Sequence, residues 1–229
     1  MSGGMELYLH MPFCVRKCAY CDFLSFPSGA ETQRMYAKRL MKDIDVMGKR
    51  YGEIPVETIF IGGGTPSVPD SALIVEIMEH VRHAFHVADG AEISMEANPG
   101  TVTREKLTDH RKAGINRLSF GLQSANDREL KLLGRIHTWA EFLESFTLAR
   151  ECGFANLNID LMSALPGQTC ESWKETLSRV TELDPEHISA YSLIIEEGTP
   201  FGERYGSEEG RKLLPDEDSE REMYHETKR

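Results

Sequence analysis

The sequence lacks the features that would take the chain into a membrane, out of the cell or onto a nucleic acid. It contains no run of about 18 apolar residues, the length that a membrane-spanning helix needs. It has no basic-then-apolar leader of the kind that directs export. The net charge of -11 counts against nucleic acid, which would need a stripe of lysine and arginine. These absences predict a cytoplasmic protein without a membrane span or a nucleic-acid partner.

Cysteine is scarce, and its five copies are unevenly placed. Cys152 and Cys170 lie far apart, whereas Cys14, Cys18 and Cys21 lie within one short loop. An odd number with this distribution is untypical of a secreted disulfide framework and fits a reducing cytoplasm. The three clustered cysteines therefore need a different explanation.

The cysteine loop follows an apolar run that reads as a strand, and its spacing is C-x3-C-x2-C. Cysteine thiolates at such spacings hold iron–sulfur clusters, which four ligands complete. Three cysteines would leave one iron open to a ligand that is not protein. A structural zinc site would need a fourth ligand, for which His10 is the only local candidate, and usually a second half that this sequence lacks. The spacing predicts a three-thiolate metal site and favours an iron–sulfur cluster.

Apolar runs alternate with amphipathic segments about six times along the chain. This pattern predicts an α/β fold of parallel strands joined by right-handed crossovers, either an open doubly wound sheet or a partly closed barrel. The expected strands are 7–11, 58–61, 91–95, 117–120, 156–162 and 187–193. The expected helices are 31–50, 70–85, 103–113, 126–133, one opened by a capping box at Thr138 and closed by Gly153, and 170–183.

Unusual residues fall after these strands, where ligands bind in parallel α/β folds. Gly62, Gly63 and Gly64 follow the second strand, and three glycines let backbone groups approach a ligand closely. Neither phosphate-loop motif is present. Glu96 ends the third strand as either a solvated rim charge or a ligand group. Asp160 interrupts the apolar fifth strand, where a carboxylate is costly to bury unless it is paired.

The last part of the chain predicts a loop at 196–201 over the site and a helix from about 214 to 229 with an acidic first turn. The expected division is a flexible start at 1–4, a core domain at 5–205 and the truncated beginning of a C-terminal extension at 206–229. Most histidines are expected to face solvent, with His137 less clear: His80, His83, His86, His110, His187 and His225.

The motifs resemble those of the radical S-adenosylmethionine (SAM) superfamily. C-x3-C-x2-C with Tyr20 before the last cysteine matches its signature. The flanking segments 8–13 (Tyr-Leu-His-Met-Pro-Phe) and 165–169 (Leu-Pro-Gly-Gln-Thr) are similar to the branch of oxygen-independent coproporphyrinogen III dehydrogenases (HemN) and heme chaperones (HemW). The dehydrogenases typically have a further cysteine two residues beyond the motif, where this chain has Phe23. Asp22-Phe23 resembles the chaperones.

The resemblance implies a partial (βα)6 TIM-like barrel with parallel strands and a C-terminal module beyond Arg229. It implies a [4Fe-4S] cluster on Cys14, Cys18 and Cys21, with SAM as cofactor. The implied contacts of cluster-bound SAM are Tyr8, Gly63 and Glu96, and the positions that match a second SAM are Tyr20, Gly64, Thr65, Gln123, Arg135 and Asp160.

The resemblance also implies the function and the partners. The main hypothesis is a heme chaperone that binds heme and transfers it to acceptor proteins. The alternative is a dehydrogenase that converts two porphyrinogen propionates to vinyl groups. Implied partners are heme or porphyrinogen, an electron donor such as a flavodoxin or ferredoxin, and heme-accepting proteins. Two other classes are a zinc-stabilised binding module and a radical enzyme acting on a peptide or RNA, with RNA disfavoured by the acidic charge.

Overall fold

The computed structural model describes residues 3–229, so Met1 and Ser2, which belong to the predicted flexible start, lie outside the described residues. Six strands form one sheet in chain order, and every neighbouring pair is parallel. The strands are β1 (Met5–Met11), β2 (Val56–Gly63), β3 (Val87–Ala97), β4 (Arg117–Gln123), β5 (Asn156–Ser163) and β6 (His187–Ser192). Doubly wound sheets reverse their strand order part-way, so the consecutive order excludes that alternative.

The helices lie close to the predicted segments. They are α1 (Ala30–Tyr51), α2 (Ser71–Ala84), α3 (Arg104–Lys112), α4 (Asp127–Leu132), α5 (Trp139–Glu151), α6 (Cys170–Thr181), α7 (Pro200–Tyr205), α8 (Glu208–Arg211) and α9 (Glu217–Thr227). The capping box of Thr138 and Glu141 is present at the start of α5. Among residues 3–229, no helix is long and apolar enough to cross a membrane.

The predicted loop at 196–201 is wrong at its far end, because α7 begins at Pro200. Thr199 caps this helix by accepting a hydrogen bond from the backbone N–H of Gly202 at 2.9 Å. Proline is favoured in the first helical turn because its fixed φ suits the helix and its missing N–H would have no partner there. The sequence Thr199-Pro200 is therefore a helix start.

Alternate residues along the strands point to opposite faces of the sheet. In β1, Leu9 and Met11 are buried in the main hydrophobic core, whereas Tyr8, which precedes Leu9, is exposed. In β4 and β5 the face that carries Ser119 and Asn158 is polar, and both side chains are buried. Side chains of a strand point alternately to opposite faces, so one face of the sheet packs under the helices and the other presents polar groups.

His110 was expected at the surface, and this prediction is wrong. The ring is fully buried, and neither of its nitrogens has a hydrogen-bond partner within the described residues. Residues three apart share a helix face, and Leu107 draws the same face of α3 into the core. Burial lowers the pKa of His110 to about 4, so the ring is neutral at pH 7.

The last helix packs against α6. The indole N–H of Trp173 donates to the backbone carbonyl of Met223 and to the hydroxyl of Thr227, each at 3.1 Å. The side chain of Met223 is fully buried in the main core. The predicted helix at 214–229 is confirmed, although it begins after the cap residue Asp216.

We expect Met223→Ala to lower the free energy of unfolding by about 2 to 5 kcal/mol, because it removes buried apolar atoms and leaves a cavity. Its neighbour Tyr224, which is 54% exposed, provides the control, and Tyr224→Ala is expected to change the free energy by about 0.5 kcal/mol. Urea unfolding of the two variants measures both values. Equal losses would show that α9 does not depend on its buried face.

Candidate functional site

The loop that carries the cysteines is closed at its base by backbone hydrogen bonds. Phe13 and Phe26 form an isolated bridge, in which Cys14 N–H donates to the Phe26 carbonyl at 3.2 Å. Phe26 N–H donates to the Pro12 carbonyl at 2.9 Å. The loop is thus a defined excursion between β1 and α1 and keeps the three cysteines at one place above the strand end.

The middle of the loop is held by two other parts of the chain. Ala19 N–H donates to the Leu133 carbonyl at 3.0 Å, and Phe201 N–H at the start of α7 donates to the Ala19 carbonyl at 2.9 Å. Arg16 also donates to the carbonyl of Gly134. Contacts from the α4–α5 connection and from α7 therefore fix the segment between Cys14 and Cys21.

The glycines at the end of β2 allow that strand to approach the base of the cysteine loop. A Cβ atom on Gly64 would lie 2.8 Å from the Met11 carbonyl oxygen and from the backbone of Phe13. Gly63 has a φ of 111°, and a Cβ there would lie 2.4 Å from the ring of His10. Positive φ values and such close approaches favour glycine. Glycine is therefore needed at these positions first of all because β2 lies so close to β1 and to the residues that follow β1.

One cavity at the carboxyl ends of the strands brings together all but one of the predicted site residues. It is lined by Cys14, Cys18, Tyr20, Cys21, Gly63, Gly64, Thr65, Glu96, Gln123, Arg135 and Asp160. Tyr8 does not line it. The Tyr8 ring is 58% exposed and stacks on Phe60 with 6.2 Å between ring centroids.

His10, the only local candidate for a fourth zinc ligand, is engaged within the protein. Its Nε2 lies 3.0 Å from the Leu24 carbonyl, and its Nδ1 lies 3.0 Å from the Tyr8 hydroxyl. A carbonyl oxygen can only accept, so the neutral ring donates from Nε2 and accepts the Tyr8 proton at Nδ1. His10 thereby links β1 to the far end of the cysteine loop.

Arg135 brings a positive charge to the inner side of the cysteine loop. One guanidinium nitrogen lies 3.5 Å from Cys18 Sγ, and another donates to Asn98 Oδ1 at 2.6 Å and to the Gly121 carbonyl. Burial acts to lower the pKa of Arg135, because it disfavours the charged form. The Tyr20 phenol and the Cys18 thiol outweigh this effect and raise the pKa. The guanidinium is therefore a cation at neutral pH.

Glu96 is a carboxyl group that titrates near neutrality. Its Oε2 accepts a hydrogen bond from the Gly63 N–H at 2.9 Å. Burial raises the pKa of Glu96 to about 7, against the opposing effect of that hydrogen bond, and the nearby Asp160 raises it further. The group is therefore present in both protonation states at pH 7.

Asp160 meets the cost of burial through hydrogen bonds. Its carboxylate accepts from the Ser119 hydroxyl at 3.0 Å and from the Asn158 amide at 2.7 Å. Burial raises the pKa of Asp160, and these hydrogen bonds act in the opposite direction. Asp160, which interrupts the apolar pattern of β5, thus belongs to a hydrogen-bonded network on the polar face of the sheet.

Gln123 lies at an irregularity in β4. Its φ is 76°, and the β4–β5 register shifts between Gly121 and Gln123. The buried side chain accepts a hydrogen bond from the Tyr191 hydroxyl at 2.7 Å, and burial raises the pKa of that phenol. This pair connects the carboxyl end of β4 to β6 across the cavity.

Several residues of the site carry no motif of their own in the sequence. Asn98 joins two of the predicted groups, since its amide donates to Thr65 Oγ1 at 2.8 Å while its carbonyl oxygen accepts from Arg135 at 2.6 Å. Ser119 and Tyr191 also line the cavity. The available signal was the period-two alternation of polar residues in the strands, which identifies a face but not a partner.

Comparison with known proteins decides the family. Residues 8–180 match the family model described as Radical SAM superfamily. The chain belongs to the Radical SAM superfamily.

Individual relatives in this superfamily are similar over nearly the whole chain. The chain is 41% identical to heme chaperone HemW of Escherichia coli (strain K12) over 216 residues, which is 94% of this chain and 56% of that protein. It is 38% identical to heme chaperone HemW of Bacillus subtilis (strain 168), covering 95% of this chain and 57% of that protein. The chain therefore spans just over half the length of these curated relatives.

A solved structure supports the barrel interpretation. Coproporphyrinogen III oxidase (HemN) from Escherichia coli, described as a Radical SAM enzyme, superposes with a TM-score of 0.86 at 30% identity, covering 98% of this chain and 51% of that chain. This match confirms the predicted partial (βα)6 TIM-like barrel with parallel strands.

Membership of the superfamily implies a [4Fe-4S] cluster and SAM, and the donor set fits them. Cys14, Cys18 and Cys21 line one cavity, and neither Cys152 nor Cys170 does. Three sulfur donors complete three of the four positions that such a cluster needs. A ligand that is not protein would have to complete the fourth position, and the cavity that the three cysteines line would hold it. This arrangement favours the iron–sulfur interpretation over the zinc hypothesis.

We expect Gly64→Ala to destabilise the chain by about 1 to 3 kcal/mol, because the added methyl group meets backbone atoms that cannot move aside easily. Gly29→Ala is the matched control, since a Cβ there meets no atom within 4 Å. Urea unfolding measures the stability, and iron and sulfide content after reconstitution measures the effect on the cysteine loop. Similar results for both variants would contradict the proposed close approach.

We expect Glu96→Gln to flatten the pH dependence of stability between about pH 4.5 and pH 7. Folded Glu96 holds its proton up to a pKa of about 7, and the unfolded group releases it near 4.5. The folded state therefore binds more protons in this window, and wild-type stability falls as the pH rises, by about 3 kcal/mol at most from this group. Urea unfolding of the cluster-free proteins at several pH values tests the difference.

Glu141→Gln is the control for this pH experiment. Hydrogen bonds from Thr138 lower the pKa of Glu141, so this group is ionised in both the folded and the unfolded chain above about pH 5. From about pH 5 to neutrality, the free energy of unfolding of Glu141→Gln should therefore change with pH as the wild-type value does. A Glu96→Gln curve that is also parallel would contradict the raised pKa of Glu96.

Proposed function

We propose that this chain is the radical SAM core of a heme chaperone, which binds heme and transfers it to acceptor proteins. The observation that carries the proposal is the identity of 41% with heme chaperone HemW of Escherichia coli over 94% of this chain. A cytoplasmic location, heme as cargo, heme-accepting proteins and an electron donor such as a flavodoxin or ferredoxin are parts of the same proposal.

We assign the cluster to Cys14, Cys18 and Cys21, and SAM to the cavity beside them. In the proposal, Gly63 and Glu96 contact the cluster-bound SAM, and their shared hydrogen bond of 2.9 Å supports a joint role. When bound, the reduced cluster supplies the electron that cleaves SAM. The protein's own part is to hold and orient the cofactor in a cavity that limits access of water.

The remaining assignments differ in their support. Tyr20, Gly64, Thr65, Gln123, Arg135 and Asp160 line the cavity, which supports a role for them in binding SAM, a second SAM or the substrate. Tyr8 has weaker support because it lies outside the lining. Its hydroxyl bonds to His10, and its link to the site is electrostatic, since burial and then the Glu96 carboxylate raise the pKa of the Tyr8 phenol.

The second candidate function is an oxygen-independent coproporphyrinogen III dehydrogenase. The TM-score of 0.86 with HemN favours it. Phe23 favours the chaperone instead, because the dehydrogenases typically have a cysteine at this position. The Phe23 side chain is 68% exposed and lines the mouth of the cavity, where it offers apolar contact area and no additional thiol.

The proposed domain division places a boundary near residue 205, with 206–229 as the beginning of a C-terminal extension. The contacts of Trp173 with Met223 and Thr227 show that α9 packs on the core. We therefore propose that 206–229 packs on the core domain and begins the proposed C-terminal extension.

The test of function uses the chain with any further residues that its gene encodes, reconstituted with iron and sulfide without oxygen. It is supplied with SAM, a reductant and coproporphyrinogen III. We expect cluster and SAM binding and stoichiometric heme capture without decarboxylated porphyrin. Chromatography of 5'-deoxyadenosine and porphyrins, with a heme titration of the same preparation, measures these results. Multiple turnovers to decarboxylated porphyrin would overturn the chaperone proposal in favour of the dehydrogenase.

Matched cysteine variants control this test. Cys18→Ser should lose the cluster, because Cys18 lines the cavity and lies against Arg135. Cys152→Ser should retain it, since Cys152 lies beside the backbone of Arg104, away from the cysteine loop. Iron and sulfide content distinguishes the two. Equal cluster content in both variants would contradict the assigned ligands.

A further inference from the structure

Behind the Asp160 carboxylate lies a second layer of polar side chains that do not line the cavity. Asp160 and Ser119 line it, whereas Asn158 and His187 do not. In the sheet register, Asn158 of β5 is the partner of Ser119 on β4 and of His187 on β6. The polar face of the sheet therefore continues from the cavity through Asn158 to β6, the last strand of the sheet.

The hydrogen bonds of the buried Asn158 side chain fix the direction in which its amide group points. Its Nδ2 donates to Asp160 Oδ1 at 2.7 Å and to the Ser119 hydroxyl at 2.6 Å. Ser119 in turn donates to Asp160 Oδ2 at 3.0 Å. A carboxylate can only accept hydrogen bonds. The amide nitrogen must therefore face Asp160, and the amide oxygen must face the other way.

The Asn158 amide oxygen faces two side chains of β6. It accepts a hydrogen bond from His187 Nδ1, and the Ser189 hydroxyl donates to it at 3.1 Å. Ser189 has a single proton, however, and its hydrogen bonding also acts to lower the pKa of Asp160 against the effect of burial. His187 is therefore the donor on which the buried oxygen depends, and its neutral ring must carry the proton on Nδ1.

His187 differs from its partner in exposure. The Asn158 side chain is 2% exposed, whereas His187 lies at the protein surface, as the sequence predicts. Without the histidine, the Asn158 oxygen would lose this donor inside the protein, which is costly for a buried acceptor. Turning the amide over would instead direct its oxygen at the Asp160 carboxylate. The exposed ring thus holds Asn158, and through it Asp160, in one orientation.

We propose that His187 is a positioning residue, which acts through Asn158 to fix the Asp160 carboxylate for ligand binding in the cavity. This inference rests on the proposed function, because it assumes that Asp160 contacts bound SAM. Protein donors orient both carboxylate oxygens, which leaves them to accept from a hydroxyl or ammonium group of the ligand. The chain of hydrogen bonds orients groups and transfers no proton, since the Asn158 amide would have to gain or lose one.

The first test needs neither the cluster nor SAM. NMR of isotope-labelled histidine ring nitrogens in the cluster-free protein distinguishes a protonated nitrogen from an unprotonated one. At about pH 9, where histidine side chains are neutral, His187 should carry its proton on Nδ1. His10 is the internal control, because its hydrogen bonds require the proton on Nε2. The signals that disappear in each single His→Asn variant give the assignments. A proton on Nε2 of His187 would overturn the proposal.

The second test measures the SAM affinity of the reconstituted protein by equilibrium dialysis. His187→Leu removes the donor and should weaken binding about tenfold. His187→Asn should recover most of the affinity, because its amide nitrogen can donate from nearly the position of Nδ1. His83→Leu is the matched control at an exposed histidine in the last turn of α2, and it should leave the affinity unchanged. Equal losses in both His187 variants would overturn the proposal, because the hydrogen bond would then not be what matters.

Asp160→Asn tests whether His187 acts through the carboxylate. In this background the loss caused by His187→Leu should shrink to less than about twofold, because changes in one hydrogen-bond network are not additive. The full loss in that background would overturn the proposal. Failure of the wild type to bind a cluster or SAM would instead refute the proposed function. The NMR result alone would then decide whether His187 fixes Asn158 and Asp160.

Discussion

The structure depends on the close approach of β2 to the end of β1. Gly64 N–H donates to the Met11 carbonyl at 2.9 Å, and Thr65 N–H donates to the Phe13 carbonyl at 2.7 Å. These bonds continue the backbone pairing of the two strands, so the start of the cysteine loop is held to the residues after β2. A side chain at position 64 would separate these backbones, because its Cβ would lie 2.8 Å from Met11 and Phe13. The position of the cysteines is therefore set largely by backbone contacts.

The interior of the site balances charges that would be costly to bury singly. Arg135 reaches Cys18 and Asn98, while the Asp160 carboxylate is held by Ser119 and Asn158. Removing an ion from water costs several kcal/mol unless hydrogen bonds or opposite charges replace the lost hydration. Asp160 receives two such bonds from side chains and Glu96 receives one from the backbone, and it is Glu96 whose pKa reaches about 7. The two partly buried carboxyl groups of the cavity thus differ in character because their hydrogen-bond partners differ.

The sequence could predict the fold and most of the site because each has a local signal. Strand and helix periodicity defined all six strands and the helices that follow the first five, and the capping box at Thr138 defined a helix start to the residue. The cysteine spacing and the glycine run marked their own positions. Pairings between distant segments have no such signal, and so the bridge from Thr65 through Asn98 to Arg135 was missed. His110 was misplaced for a related reason, since the face that a polar residue occupies on a short helix is decided by what packs against it.

The local sequence pattern could not distinguish an open doubly wound sheet from a partial barrel. Both arrangements use the same alternation of strands and helices, and they differ only in which strands become neighbours. The resemblance to the superfamily favoured the barrel, and the pairing of β1 with β2 through to β6 in chain order agrees with it. That order brings the carboxyl ends of all six strands to one rim in sequence. The cysteine loop after β1 and Tyr191 in β6 can therefore line the same cavity, although Tyr191 lies 170 positions after Cys21. The site is thus a consequence of strand order, which places residues from every part of the chain around the loop that would hold the cluster.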